Sequence, residues 1–458
     1  MADSDSISSR ISVDCPPETQ QVLTAAWAHD VVSVKKLLDA PGKASCQDPK
    51  TGETPLHAAI RACGAPSEDD SPEDLEAAKK TVYELLLWGG IWNDVDDHNE
   101  TPGCVAQRLG RTELYNLCVE AGVRAEMLFG LLDGYEELSS GEEEADDEMG
   151  EWNVEAEEDG DEAPELVAVE EGATQEEVVQ EEEEEDGEEK DDQRAFQASM
   201  ADGDTDVKSE AYLRSKLTYS DGKLVDDDGN GVMMAWETDI MRKSVDALLP
   251  GKPAGKRILN IGFGMGIIDS MFAETKPSKH HVIEAHPEVL AHISAPESKF
   301  GTSWEEGAPS PGAFKIYQGK WQEICHQLLR EGQVYDAIYF DTFGENYGQL
   351  RMFFTEFIPG LLDEQGIFGF FNGLGADRKI CYDVYTKVSE MHLADAGLDV
   401  DWKVIGVDMK ELAEAGKGEW EGVKRRYWTL DGKYTRPPLF RFLTPIVEYR
   451  LPVCTFLG

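Results

Sequence analysis

Between residues 136 and 192 the chain carries 30 aspartates and glutamates against a single lysine. Such a stretch cannot fold on itself, because like charges repel and too little apolar area is present to offset the entropy lost on ordering. The chain of 458 residues is therefore expected to hold two folded regions, 1–135 and 193–458, joined by an acidic disordered linker at 136–192. That linker reads as a solvated spacer or as an electrostatic lure for basic substrates.

The run supplies −29 of a formal charge of −50, leaving −21 for the rest. An excess of this sign speaks against nucleic acid, whose phosphates are held by lysine and arginine. No stretch reaches the ~18 consecutive apolar residues of a membrane span, and MADSDSISSR lacks the apolar segment of a secretory signal. A cytoplasmic protein is expected. The eight cysteines form no CxxC pair and the nine histidines no HxxxH spacing, so neither a metal site nor a disulfide framework is expected.

Residues 1–135 read as short helices joined by turns. One of them is expected over 20–40, where Val22, Leu23, Ala26, Val34, Leu37 and Leu38 recur at helical spacing. At 51–62 the segment TGETPLHAAIRA resembles the T-P-L-H-x-A turn of an ankyrin repeat, with threonine as cap and proline in the first helical turn. His57 is expected to stabilise that turn rather than bind a ligand. Thr101 and Pro102 repeat the Thr-Pro pair 47 residues later. An ankyrin period is about 33, implying an insertion of roughly 14, for which 67–73 is the polar candidate. Two or three such units make a small all-α stack, either a protein-binding surface or a structural appendage.

From residue 193 onward apolar runs alternate with segments long enough for helical crossovers. Arg257–Ile261, 281–284, 337–341 and 367–372 read as buried strands, which gives an α/β, doubly wound, mostly parallel sheet. The first strand, in RILNIGFGMGI, runs into Gly262, Gly264 and Gly266. Glycines let backbone turn sharply against a ligand. A dinucleotide loop would need glycine at 267, where this chain has Ile267. The next strand ends in Glu284, about 20 residues on, from where a carboxylate accepts hydrogen bonds from ribose hydroxyls. In YDAIYFDTFGENY, Asp341 ends an apolar run and is expected on the same sheet edge, where open α/β sheets place their ligands. Upstream, 231–249 reads as an amphipathic helix with Trp236, Glu237 and Met241 near its start.

The glycine spacing resembles the S-adenosylmethionine loop of class I methyltransferases. The ordered set VMMAWET, NIGFGMGI, VIEAH, GKW and YFDTFGE resembles guanidinoacetate N-methyltransferase and, with the ankyrin-like start and acidic spacer, the fungal-type arginine N-methyltransferase 2 family over nearly the whole chain. That resemblance implies methylation of the internal (δ, N5) nitrogen of arginine in proteins, with S-adenosylmethionine as donor. It sets the methionine and ribose parts of the donor against Gly262, Phe263, Gly264, Met265, Gly266, Ile267 and Ile268, and Glu284 on the ribose. It sets Ala285, His286, Lys320 and Trp321 around the adenine, and Met233, Met241 and Tyr219 in a lid. Glu237 and Asp341 match the two carboxylates that hold a guanidinium in the small-molecule relative, with Asp341 also beside the donor. One departure stands out: two residues before the first glycine, where many methyltransferases carry an acid, this chain has Asn260, whose amide oxygen can still accept a bond from the donor's ammonium.

Two carboxylates suit this chemistry. Arginine stays protonated, with a pKa above about 12, and its nitrogen lone pairs are delocalised. Glu237 and Asp341 are expected to grip the guanidinium through charge-assisted hydrogen bonds, align one nitrogen with the methyl and take up the lost proton. Two alternatives remain: a small guanidino compound such as guanidinoacetate as substrate, or an inactive ankyrin-containing scaffold. The expected partner is a basic protein presenting an arginine, drawn in by the negative surface, with a further protein on the ankyrin-like stack. A monomer is favoured. The basic cluster at 424–426 is too short for a nuclear signal, so nuclear entry rests on the family resemblance.

Overall fold

The computed structural model describes residues 5–67, 70–139, 209–408, 412, 418–428 and 446–458, without the side chains of 131–139 and 446–447. The expected linker at 136–192 lies outside the described residues, apart from 136–139. Those four continue a helix past the expected end of the first region.

The N-terminal part is helical: α1 (Ile7–Arg10), α2 (Pro17–Trp27), α3 (Val31–Leu37), α4 (Pro55–Arg61), α5 (Pro72–Leu87), α6 (Pro102–Leu109) and α7 (Thr112–Ser139). The single helix expected over 20–40 is broken. His29 adopts a left-handed φ of 51°, and Asp30 restarts the chain as α3 by accepting the Ser33 amide at 3.1 Å; an aspartate at that place favours a cap over continuation. Thr54 and Thr101 cap α4 and α6 in the same way, each followed by proline. His57 is buried and bridges the two turns, its Nε2 on the Glu100 carbonyl at 2.9 Å and its Nδ1 on the Thr54 hydroxyl at 2.8 Å. It stabilises the turn, as its sequence context suggests. Between the turns Arg10 and Arg61 are buried against Glu53 and Asp96.

The rest of the chain begins with α8 (Ser209–Tyr212) and an antiparallel meander of β1 (Leu217–Ser220), β2 (Lys223–Asp226) and β3 (Gly231–Met234). Here the helix expected over 231–249 is corrected. Its first four residues pair with β2 as a strand, 235–237 form one tight turn, and α9 (Thr238–Leu248) starts only afterwards. The run Val-Met-Met sits one turn after a hairpin, so pairing with β2 takes its backbone groups before a helix can.

A seven-stranded sheet follows. Its strands are β4 (Arg257–Ile261), β5 (Lys279–Glu284), β6 (Phe314–Gln318), β7 (Tyr335–Phe340), β8 (Leu362–Phe370), β9 (Leu398–Asp408) and β10 (Ile446–Phe456), in the order β6-β5-β4-β7-β8-β10-β9. The first five are parallel, while β10 runs antiparallel to both β8 and β9. The helices between them are α10 (Ile267–Glu274), α11 (Pro287–Ile293), α12 (Thr302–Glu306), α13 (Trp321–Arg330), α14 (Tyr347–Met352), α15 (Ile358–Leu361) and α16 (Lys379–Asp395). The four strands read from the sequence are present, β4 with the expected bounds and the other three with shifted ends. Asp341 is the first residue beyond β7, and Phe371 and Asn372 lie beyond β8. After β4 the chain winds outward through β5 and β6, then returns to place β7 on the other side of β4. Such a reversal leaves a crevice at the carboxyl ends of β4 and β7.

The described residues up to Leu131 and from Ser209 onward form one compact unit. Packing between α6, α7 and α16 joins them. A Cβ on Gly103 would lie 1.8 Å from Ile380 Cδ1, Tyr115 donates its hydroxyl to Asp383 at 2.6 Å, and Arg378 donates to the Asn99 side chain at 2.7 Å. Among the described residues no helix is long and apolar enough to cross a membrane.

Candidate active site

The crevice is set by backbone. β4 and β7 pair in register up to Ile261 and Phe340, and the Asp341 amide donates to the Ile261 carbonyl at 2.9 Å. The next residue of β4, Gly262, thus passes directly over Asp341. At its φ of +88° a Cβ would lie 1.9 Å from the Asp341 carbonyl oxygen, a position only glycine can fill. Gly264, at φ +54°, lies against Met233, whose Cε is 2.7 Å from where a Cβ would stand. Gly266 then caps α10.

This loop borders a cavity that opens to solvent. Of the residues expected from sequence, Met233, Gly262, Gly264, Glu284, Ala285, Lys320, Trp321 and Asp341 line it. Glu284 is fixed from behind: its Oε2 accepts the Phe263 amide at 2.9 Å, and its Oε1 those of Ala285 and His286 at 2.8 and 2.7 Å. Burial pushes its pKa up despite these donors. Trp321 donates its indole N–H to Glu345 at 2.8 Å, which also accepts from Thr342 at 2.7 Å.

The other expected residues stand behind the wall. Phe263 packs with Val282, Val289 and Phe300, and Ile268 and Met241 are core residues beside Ile258 and Phe272. A lid position for Met241 is thereby corrected; its place on the apolar face of α9 turns it toward the sheet. Met265 donates its amide to Met233 Sδ at 3.3 Å, while Ile267 opens α10. His286 caps α11 and bonds the Tyr212 carbonyl at 2.9 Å. Tyr219 stacks on His292, ring centres 4.1 Å apart, and donates its hydroxyl to the Gly264 carbonyl at 3.3 Å, so it steadies the glycine loop from outside. Asn260 is fully buried. Its amide nitrogen donates to Gly262 and Asp269, each at 2.8 Å. It braces the loop through that nitrogen, while its amide oxygen is buried and has no hydrogen-bond partner among the described residues.

Sequence reasoning missed part of the wall. Ser209, Tyr212 and Leu213 come from α8, with Tyr212 packed edge-on to Phe343 at 4.9 Å. A four-residue helix offers no periodic signal.

Asp341 lines this cavity and feels the charge of Glu237, which lies outside the lining. Glu237 is 2% exposed; its Oε1 accepts the Met234 amide at 2.7 Å and the Tyr427 hydroxyl. Burial pushes its carboxyl up to about 7. Asp341 lines the cavity with a buried Oδ2 that has no hydrogen-bond partner. Burial, and next the charge of Glu237, hold its carboxyl well above the ordinary aspartate range. Glu237, and Asp341 with its buried Oδ2, therefore resist carrying two charges together. Around them stand aromatic rings: Trp236 stacks on Tyr427 at 6.2 Å, Trp420 meets Tyr427 edge-on at 5.2 Å, and Phe371 meets it at 6.2 Å. Tyr427 and Trp420 belong to GEWEGVKRRYW, 418–428, a segment whose three aromatics are the only sequence hint of its role.

The acid pair, the aromatic rings and the cavity together can seat a flat cation beside a nucleoside-sized ligand. A family model described as guanidinoacetate N-methyltransferase matches residues 206–398. The chain is 70% identical, over 100% of both sequences, to a Neurospora crassa protein named protein arginine N-methyltransferase 2. Proteins of the same name from Gibberella zeae and Emericella nidulans are 61% identical over 94% of each chain, and 44% identical over 97% of this chain and 98% of the relative.

Proposed function

The chain belongs to the protein arginine N-methyltransferase 2 family, and from that membership we propose that it methylates the internal (δ, N5) nitrogen of arginine residues in proteins. The donor is S-adenosylmethionine, which supplies a methyl group already activated on positively charged sulfur. The observation that carries the reading is the pair of acids Glu237 and Asp341, the second of them on the wall of the cavity that the glycine loop and Glu284 also line. Glycines at 262 and 264 clear its floor, and Glu284, pinned by three amides, stands where ribose hydroxyls are bound in such sheets.

The residues then divide the work. Glu237 and Asp341 lose their retained proton as the guanidinium enters, and two carboxylates hold the cation in place. The aromatic rings of Trp236 and Tyr427 favour a flat cation and exclude water. As the nitrogen–carbon bond forms and the sulfur–carbon bond breaks, its electron pair stays on sulfur and the N–H proton passes to the acid pair. Alignment, more than charge, sets the rate.

The N-terminal helices are read as an ankyrin-type stack, supported by the paired Thr-Pro caps and the His57 bridge. Its packing on α16 favours a brace for the catalytic region, leaving its outer face for a protein partner. A basic protein substrate fits the charge of −50, and the cytoplasm, with the nucleus as the family resemblance implies, is the proposed location.

A second reading has one observation in its favour, the match of residues 206–398 to the guanidinoacetate enzyme model: a small guanidino compound as acceptor. Fragmentation mass spectrometry of the product separates the two. With labelled donor and a mixture of basic proteins and guanidinoacetate, the methyl is expected on the internal nitrogen of protein arginine. Label confined to guanidinoacetate, or a methyl on a terminal nitrogen, would overturn the proposal.

A further inference from the structure

Three fully buried side chains, His280, Asp269 and Asn260, form a row behind the glycine loop. His280, on β5, sets its Nε2 on Asp269 Oδ1 at 2.9 Å, and the rings of Phe272, Trp304 and Phe314 meet it edge-on. Asp269, on α10, accepts an amide N–H of Asn260 at its Oδ2, at 2.8 Å. The same Asn260 nitrogen donates to the Gly262 carbonyl, also at 2.8 Å.

The row ends on one peptide unit. The carbonyl of Gly262 and the N–H of Phe263 share a plane and point in opposite directions. Asn260 holds the first, and Glu284 Oε2 accepts the second at 2.9 Å. Turned over, the unit would set an oxygen against the Glu284 carboxylate and leave the Asn260 nitrogen without that acceptor. Gly262, at φ +88°, has no side chain to restrict the rotation, so its neighbours must fix it. Asn260 can do so in one orientation only. A carbonyl and a carboxylate both accept and do not donate, so Gly262 and Asp269 together demand the amide nitrogen. The amide keeps that orientation although its buried oxygen has no hydrogen-bond partner among the described residues.

We propose that Asn260 is a positioning residue for donor binding, with Asp269 selecting its orientation. Together they lock the Gly262–Phe263 peptide plane, and that plane holds the Glu284 carboxylate on the cavity wall. Both act through the loop. The inference rests on the reading of Glu284 as the acid that takes the ribose.

The test compares affinity for S-adenosylhomocysteine, by calorimetry, with unfolding temperature in full-length variants. Asn260→Asp sets a carboxylate against both Asp269 and the Gly262 carbonyl; affinity is expected to fall about 30-fold or more, with a lowered unfolding temperature. The swapped pair Asn260→Asp, Asp269→Asn rebuilds the amide–carboxylate bond between the two positions and leaves an oxygen for His280. Its unfolding temperature should recover most of the loss. The Gly262 carbonyl still faces an acceptor, so affinity should stay about tenfold or more below wild type. Recovery of affinity together with the unfolding temperature would reduce the row to packing and overturn the assignment. Should either protein fail to fold, Asn260→Leu, which keeps the volume and removes the donor, decides: a loss of about threefold or more supports the role, and wild-type affinity overturns it. Failure of the underlying reading looks different, because Glu284→Gln would then bind S-adenosylhomocysteine as the wild type does.

Discussion

Glu237→Gln is expected to lower turnover on an arginine-bearing protein by about 10- to 150-fold, the loss of one charge-assisted hydrogen bond worth ~1.5–3 kcal/mol in the transition state. Affinity for S-adenosylmethionine should hardly move. Glu237 stands beside the cavity rather than on its wall, and its Oε1 contacts to Met234 and Tyr427 survive in the isosteric amide as far as its oxygen can accept them. The carboxamide has one acceptor oxygen where the carboxylate had two. If that oxygen stays on Met234 and Tyr427, the amide nitrogen turns its own N–H groups toward a guanidinium that also has only donors. Single-turnover methyl transfer beside calorimetric donor binding separates the two effects. Wild-type turnover in the variant would remove Glu237 from the mechanism.

Gly262→Ala should act on the other half of the site and on the fold together. The alanine would need a positive φ of about 88° and a Cβ 1.9 Å from the Asp341 carbonyl oxygen, both in backbone rather than at the end of a flexible side chain. Left-handed backbone costs an L-residue ~1–2 kcal/mol and overpacking another ~1–3 kcal/mol. The least costly relief is to push the β4 and β7 ends apart, which carries Asp341 away from Glu237 and opens the cavity floor. Donor affinity is expected to fall by 100-fold or more, a loss of ~2.7 kcal/mol or greater, with a lowered unfolding temperature. Unimpaired donor binding would mean that the close crossing of Gly262 over Asp341 does not shape the site.

What was legible in the sequence is what neighbours in sequence determine. Gly262, Gly264 and Glu284 announce themselves because a strand, a tight loop and a strand-ending acid sit within one βαβ unit, and Asp341 because an apolar run ends on it. Thr54 and Thr101 were readable as caps for the same local reason. The failures share a cause as well. Val232 and Met233 fit a helix in isolation, and only their pairing partners across a hairpin make them a strand. Met241 was placed by resemblance in a lid, whereas packing put it in the core. Tyr427 could not be found at all, since its meaning is a contact with Glu237 across the fold. Position in the chain also hid the packing of α6 and α7 on α16, which pairs residues such as Tyr115 and Asp383 from the two sides of the acidic run.

The central claim is that Glu237 and Asp341 together receive a guanidinium. Its most direct measurement is the proton balance of binding. Burial pushes the Glu237 carboxyl up to about 7 and holds Asp341 well above its ordinary range, so the account expects the free pair to hold a proton that leaves when a cation lets both carboxylates ionise. An arginine-containing substrate peptide titrated near pH 7 into the protein saturated with S-adenosylhomocysteine, in two buffers of different ionisation enthalpy, should release about one proton per peptide. The double variant Glu237→Gln, Asp341→Asn should release almost none. Peptide binding to the wild-type protein with no proton released would contradict the account.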